Sequence, residues 1–128
     1  MVAKSFKKMI LAVDDNPRYL ELMGVQLAEE GYRLVAVQSG EECLKAIDVE
    51  KPGLVLLDIL MPDMNGLETL KRIKKIDPDI PVAMVTAVWD DEEGKRCFEA
   101  GAFEYITKPI DMNHFNAAVL SRFFPADE

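Results

Sequence analysis

A chain of 128 residues is long enough to bury one hydrophobic core without metal or disulfide staples, and it fits a single domain over residues 1–128. Its 23 acidic side chains against 15 basic ones give a formal charge of −8, which argues against direct binding of a nucleic-acid backbone, since that requires a concentrated basic patch. No apolar stretch approaches the roughly 20 residues of a membrane span, and residues 1–8 carry charge without the apolar segment of a secretory signal, so a soluble, cytoplasmic protein without membrane insertion is expected.

The first apolar run, residues 10–13, stops at Asp14 and Asp15. Asn16 supplies a helix cap with Pro17 at the first helical position. Leu20, Met23 and Leu27 then recur at helical spacing up to Gly31, which suits a left-handed helix end. Residues 32–37 form the second predicted strand. Ser39 and Glu42 have capping-box spacing ahead of a helix carrying Leu44 and Ile47. The next apolar run, residues 54–57, stops at Asp58, and Asn65-Gly66 then reads as a turn. Leu67, Leu70, Ile73 and Ile76 predict a third helix, closed by Pro78. Residues 82–85 stop at Thr86. Asp90 and Glu93 repeat the capping-box spacing, but the polar run 90–94 and the helix cost of Gly94 predict a short or mobile fourth helix. Residues 105–107 stop at Lys108-Pro109. Gly101 precedes this strand as a second left-handed helix end, and Asp111 caps a last helix carrying Phe115, Val119 and Phe123.

Five strand–helix units in alternation favour a parallel sheet flanked by helices, because each parallel connection needs a crossover. Ligands of open α/β sheets bind beyond the carboxyl ends of the strands. Three carboxylates, a hydroxyl and an amine would meet at that edge. Asp58 can accept a phosphoryl group as a covalent nucleophile if the incoming charge is neutralised and the donor is held in line. An adjacent acidic pair, Asp14-Asp15, suits a hard divalent cation, Mg²⁺ or Mn²⁺, that bridges carboxylate and phosphoryl oxygens. Lys108 supplies positive charge for Asp58 at rest and for a phosphoryl oxygen afterwards, while the Thr86 hydroxyl adds a hydrogen bond.

Singly, each residue has a plainer reading: Asp14-Asp15 as a solvated turn, Thr86 as a strand-end hydroxyl, Lys108 as a surface lysine, Pro109 as a turn residue. Their occurrence together reverses that preference. Cys43 and Cys97 are far apart, show no ligand spacing, and read as thiols in a reducing compartment. His114 has no visible metal-binding partner and reads as a surface residue. Trp89 either packs over its loop or lies on an interaction surface.

At these positions the chain resembles the receiver domain of two-component response regulators, of the single-domain chemotaxis type. The resemblance rests on Asp14-Asp15, on Asp58 followed by Met61-Pro62 and Asn65-Gly66, on Thr86-Ala87, and on Lys108-Pro109. It implies a flavodoxin-like five-stranded parallel sheet of order 2-1-3-4-5 with five helices. It also implies that a histidine kinase or histidine phosphotransfer protein phosphorylates Asp58. Asp15, Asp58 and the backbone carbonyl of Leu60 would surround Mg²⁺, with Asp14 acting through metal-bound water. Thr86 and Tyr105 would form a coupled switch in which the ring turns inward, altering the surface of the fourth helix, fifth strand and fifth helix for a downstream protein target. Lys108–Pro109 would be a cis peptide. Leu60 and Val88 would border the path of attacking water, and their apolar character predicts slow autodephosphorylation.

Self-catalysed gain and loss of phosphate, with no separate substrate released, makes this a non-enzyme in the usual sense. Three alternatives use the same residues. A metal-dependent phosphatase with an aspartyl-phosphate intermediate would need a second acid two residues after Asp58, where Leu60 stands. A flavodoxin-like binding module would need a phosphate-cradling first loop, where acids stand instead. A pseudo-receiver interaction module would not take up phosphate, yet all five chemical positions are filled.

Overall fold

The computed structural model describes residues 9–61, 64–87, 89–115 and 117. Val88, Val119 and Phe123 therefore lie outside the described residues, as does Pro62. Five strands, β1 (Met9–Val13), β2 (Arg33–Val37), β3 (Leu54–Asp58), β4 (Val82–Thr86) and β5 (Glu104–Thr107), form one sheet in the order β2-β1-β3-β4-β5. Every pairing is parallel. The connections carry α1 (Pro17–Glu29), α2 (Gly40–Val49), α3 (Gly66–Ile76) and α4 (Asp91–Glu99), and α5 (Met112–Phe115) follows the last strand. The expected architecture and strand order are those of the structure.

Period-2 alternation along the strands divides the core into two layers. Leu11, Val13, Val55, Leu57, Val82 and Met84 face one side, where Cys43 and Ile47 of α2, Leu70 and Ile73 of α3, and Cys97 of α4 cover them. Ile10, Ala12, Leu54, Leu56, Ala83 and Val85 face the other side, under Leu20, Met23 and Leu27 of α1 and Phe115 of α5. β1, β3 and β4 are buried at every position, which explains their continuous apolar runs. β2, at the sheet edge, has half-buried and exposed residues and none fully buried.

The helix ends follow their capping residues. The Asn16 side chain accepts from the backbone N–H groups of Arg18 and Tyr19 at the start of α1, and Ser39 accepts from Glu42 N–H at the start of α2. Gly31 and Gly101 adopt φ of 90° and 114°, the left-handed conformation expected after α1 and α4.

The fourth helix, expected to be short or mobile, runs nine residues and is the shortest of α1 to α4. Asp90 caps it by accepting from the N–H groups of Glu92 (3.0 Å) and Glu93 (3.2 Å), and three acids in its first turn suit the positive end of the helix dipole. Gly94 has a packing reason to be there. It is buried, and a Cβ would stand 3.3 Å from Cδ2 of Tyr105, so its missing side chain makes room for that ring.

The turn before α3 is equally specific. Gly66 N–H donates to the Ile59 carbonyl at 2.7 Å, and a Cβ on Gly66 would overlap the Asp58 carbonyl oxygen and stand 2.7 Å from Ile59 Cα. Both obstacles are backbone, so the loop would have to move. Gly66→Ala is expected to destabilise the protein by about 1–3 kcal/mol, read from the midpoint of urea unfolding.

Candidate functional site

Strand register brings the chemistry-bearing residues to one edge. Val13 pairs with Leu57, so Asp14 and Asp58, each one residue further on, stand level at the carboxyl ends of adjacent strands. Asp58 pairs with Val85 and Thr86 with Thr107, which places Thr86 and then Lys108 progressively further along the same edge. The strand order reverses between β1 and β3, and the acidic residues lie at that crevice.

One carboxylate oxygen from each of Asp14, Asp15 and Asp58 can be chosen so that all lie within 4.8 Å of one another. Asp14 and Asp58 are buried, at 3% and 5% exposure, while Asp15 is exposed. Asp14 is fixed from two sides: Oδ1 accepts from Asn16 N–H at 2.9 Å and Oδ2 meets Lys108 Nζ at 2.5 Å. Lys108 Nζ is 3.8 Å from Asp58 Oδ2. The lysine charge, expected opposite Asp58, thus sits closer to Asp14 while remaining within ion-pair reach of both.

Burial first, and then the Asp14 carboxylate, push the Asp58 carboxyl up to about 6, against the pull of Lys108 and of the Leu60 backbone amide; Asp15 adds a smaller upward push. Three acids facing one ammonium leave negative charge uncompensated, and an all-oxygen donor set suits a hard divalent cation. The residues present therefore fit Mg²⁺. Leu60 has a largely exposed side chain (66%) immediately after buried Ile59.

Thr86 is 2% exposed, and its carbonyl accepts from Lys108 N–H at 2.7 Å. The Lys108–Pro109 peptide is cis. Tyr105 is buried, with its hydroxyl donating to Glu93 Oε1 at 3.3 Å. Burial and then the Glu93 charge push its phenol up to about 12. The Trp89 ring meets Tyr105 edge-on, with centroids 5.1 Å apart and planes at 73°, and Trp89 Nε1 donates to Asp91 Oδ1 at 2.6 Å. Although the resemblance implied that the ring turns inward on phosphorylation, it is already inside in this structure. The space at Gly94, the Glu93 acceptor and the Trp89 edge account for that position. Trp89 itself is 59% exposed, so it both packs on Tyr105 and reaches the surface.

His114 is exposed in α5, and both cysteines are buried thiols. Among the described residues no helix is long and apolar enough to cross a membrane.

Sequence reading missed three participants. Glu93 read as a capping residue and Gly94 as a helix defect, yet together they seat Tyr105. Tyr19 was not singled out at all, yet its ring lies under Lys108, 4.6 Å from Nζ to the centroid. Its position in the first turn after the acidic pair was the one available signal.

The model of the response regulator receiver domain matches residues 10–120. The transcriptional regulatory protein GlrR of Escherichia coli (strain K12) is 36% identical over 110 residues, covering 86% of this chain and 25% of its own length. The chain spans about a quarter to about half the length of curated relatives it matches. Among solved structures, a CheY-like receiver domain protein from Methanospirillum hungatei JF-1 aligns with a TM-score of 0.86 at 32% identity, over 91% of this chain and 94% of that one. The BeF3-activated DrrB receiver domain aligns at 0.83 with 33% identity, over 94% and 100%.

Proposed function

Because the chain belongs to the response regulator receiver domain family, we propose that residues 1–128 act as a phosphoacceptor switch in which Asp58 takes a phosphoryl group from a histidine kinase or histidine phosphotransfer protein. The observation that carries this reading is the grouping of Asp14, Asp15 and Asp58 with Lys108 Nζ 2.5 Å from Asp14 and 3.8 Å from Asp58.

The chemistry asked of each residue follows from its place. An Asp58 carboxylate oxygen attacks phosphorus, the P–N bond to the donor imidazole breaks, and the imidazole leaves with its electron pair. Asp15, Asp58 and the Leu60 carbonyl would hold Mg²⁺, with Asp14 reaching it through water; the ion, when bound, supplies charge neutralisation. Lys108 is within reach of a new phosphoryl oxygen on Asp58, and the Thr86 hydroxyl supplies a further hydrogen bond.

The added group carries roughly −1.5 to −2 charge, and it shifts the conformational balance by as much as it favours one state over the other. Thr86 and Tyr105 are the residues proposed to report it to the surface of α4, β5 and α5, where a downstream protein target would bind. The buried ring position here supports assigning this structure to the inward arm of that switch. Incubation with a small acyl phosphate tests the reading. Asp58 acyl phosphate forms with Mg²⁺ and stays at background with a chelator; labelling that ignores the metal would overturn it.

Leu60 gives attacking water no hydrogen-bonding partner at the mouth of the site. Leu60→Asn is expected to speed loss of the acyl phosphate by roughly three- to tenfold through better positioning of water, followed as the decay of labelled, purified protein.

A further inference from the structure

Lys108 is a flexible four-carbon side chain on which both the resting site and the phosphorylated site depend. It nevertheless occupies a defined place, with its ammonium between Asp14 Oδ2 on one side and the face of Tyr19 on the other. Tyr19 is itself held. It packs against the core layer formed with α1 and α5, and it lines a cavity of about 100 Å³ with Leu22, Leu56, Pro109 and Ile110, among others. Its hydroxyl is buried and faces the Ile110 backbone amide without reaching hydrogen-bond geometry. Among the described residues the hydroxyl has no partner in hydrogen-bond geometry, so the contact with Lys108 is carried by the ring.

We propose that Tyr19 is a positioning residue for phosphoryl transfer: its ring face holds the Lys108 ammonium by a cation–π contact at the point from which it reaches a phosphoryl group on Asp58. The inference rests on the receiver reading and deepens it. An unguided lysine would spread over many rotamers and spend part of its time paired to exposed Asp15 or in solvent. With the ring beneath it, the ammonium is limited to a small arc between two buried carboxylates, 2.5 Å from one and 3.8 Å from the other. The negative charges of Asp14 and Asp58 that burden the Tyr19 phenol are the same ones that draw the ammonium over the ring. Tyr19 touches no reacting atom in this scheme, so its whole effect passes through Lys108.

Three variants separate the ring from the hydroxyl and from general damage. With a small acyl phosphate and saturating Mg²⁺, Tyr19→Leu is expected to slow acquisition of phosphate by roughly three- to tenfold, the range of a partly desolvated cation–π contact. Tyr19→Phe stays within about twofold of the natural protein. In a Lys108→Ala background, Tyr19→Leu changes the rate by less than about twofold, because the interaction it removes is already gone. A readout independent of phosphate accompanies these rates: the Lys108 Hε protons show a ring-current upfield shift in the natural protein and in Tyr19→Phe, and lose it in Tyr19→Leu. Equal slowing by Phe and Leu, equal slowing in both lysine backgrounds, or a Lys108 signal indifferent to residue 19 would each overturn the assignment. If the natural protein shows the ring-current shift yet never takes phosphate, the receiver reading fails while the lysine–ring contact stands.

Discussion

Asp58→Asn is expected to reduce phosphate uptake to background while making the metal-free protein more stable at neutral pH. The first half follows from chemistry, since the amide offers no anionic nucleophile. The second follows from the electrostatics of the pocket. Asp58 is held near 6, above the ordinary 3.8, by burial and by Asp14. Between these values the folded protein binds the proton more readily than the unfolded chain does, so stability falls as pH rises. The contribution is fully present below about 3.8 and is lost as pH passes through 6. A raised value of this size corresponds to about 1–3 kcal/mol after allowance for partial solvent screening. Asn at this position removes the charge and with it the pH dependence. The metal-free variant should therefore melt roughly 3–10 °C higher than the natural protein at pH 7.5. The gap should close near pH 4, and Mg²⁺ should narrow it at pH 7.5 by stabilising the natural protein, with its full set of carboxylates, more than the variant. Thermal melts with and without chelator across this pH range check each part. An Asn variant that is less stable at pH 7.5, or a gap that widens toward pH 4, would contradict the electrostatic assignment.

Lys108→Ala is expected to separate metal binding from response. The ammonium and a divalent cation draw on the same carboxylates, 2.5 and 3.8 Å from Nζ. Its removal leaves Asp14, 4% exposed at its side chain, without its cation and deepens the upward pressure on Asp58. Loss of one partner from a buried pair strands the other, and about 2–4 kcal/mol of metal-free stability is expected to go. Mg²⁺ affinity should be retained or increase, because a competing positive charge is gone. Phosphate uptake should fall at least roughly tenfold, since a charge that stabilises the transferring group is missing. Asp15→Ala should give the reverse order of effects, with Mg²⁺ affinity falling first. Calorimetric titration of Mg²⁺ beside uptake rates from a small acyl phosphate distinguishes the two. A lysine variant that lost metal affinity as severely as the Asp15 variant would show that Lys108 organises the acids and does little for the phosphoryl group.

β1, β3 and β4 were legible because burial on both faces leaves continuous apolar runs, each ending on a residue whose polarity has no place in a core, whereas the strand order came only from the family resemblance. Asp14, Asp58 and Thr86 are buried all the same, which is affordable only where partners meet them. Chain order could place these residues at the same sheet edge, but it could not say which carboxylate Lys108 would approach more closely. That depends on Tyr19 beneath the ammonium, signalled only by its place in the first turn after the acidic pair, and on Asn16 N–H turning Asp14. The role of Gly94 in the fourth helix escaped sequence reading for a related reason. Propensity charges Gly94 with an entropic penalty, whereas packing gives it the ring of Tyr105 to accommodate. Glu93 matched a local capping pattern and turned out to accept a hydrogen bond from a residue twelve positions away. Local rules sufficed where the function was local, and failed where two distant elements share one group.

The most direct test is a crystal structure of the protein grown with Mg²⁺ and beryllofluoride, which binds a carboxylate much as a phosphoryl group does. Beryllium bonded to a carboxylate oxygen of Asp58, a fluoride against Lys108 Nζ and Thr86 Oγ1, and Mg²⁺ held by Asp15, Asp58 and the Leu60 carbonyl are the expected result. Beryllofluoride at another residue, or Mg²⁺ seated away from the three aspartates while the fold is intact, would contradict it.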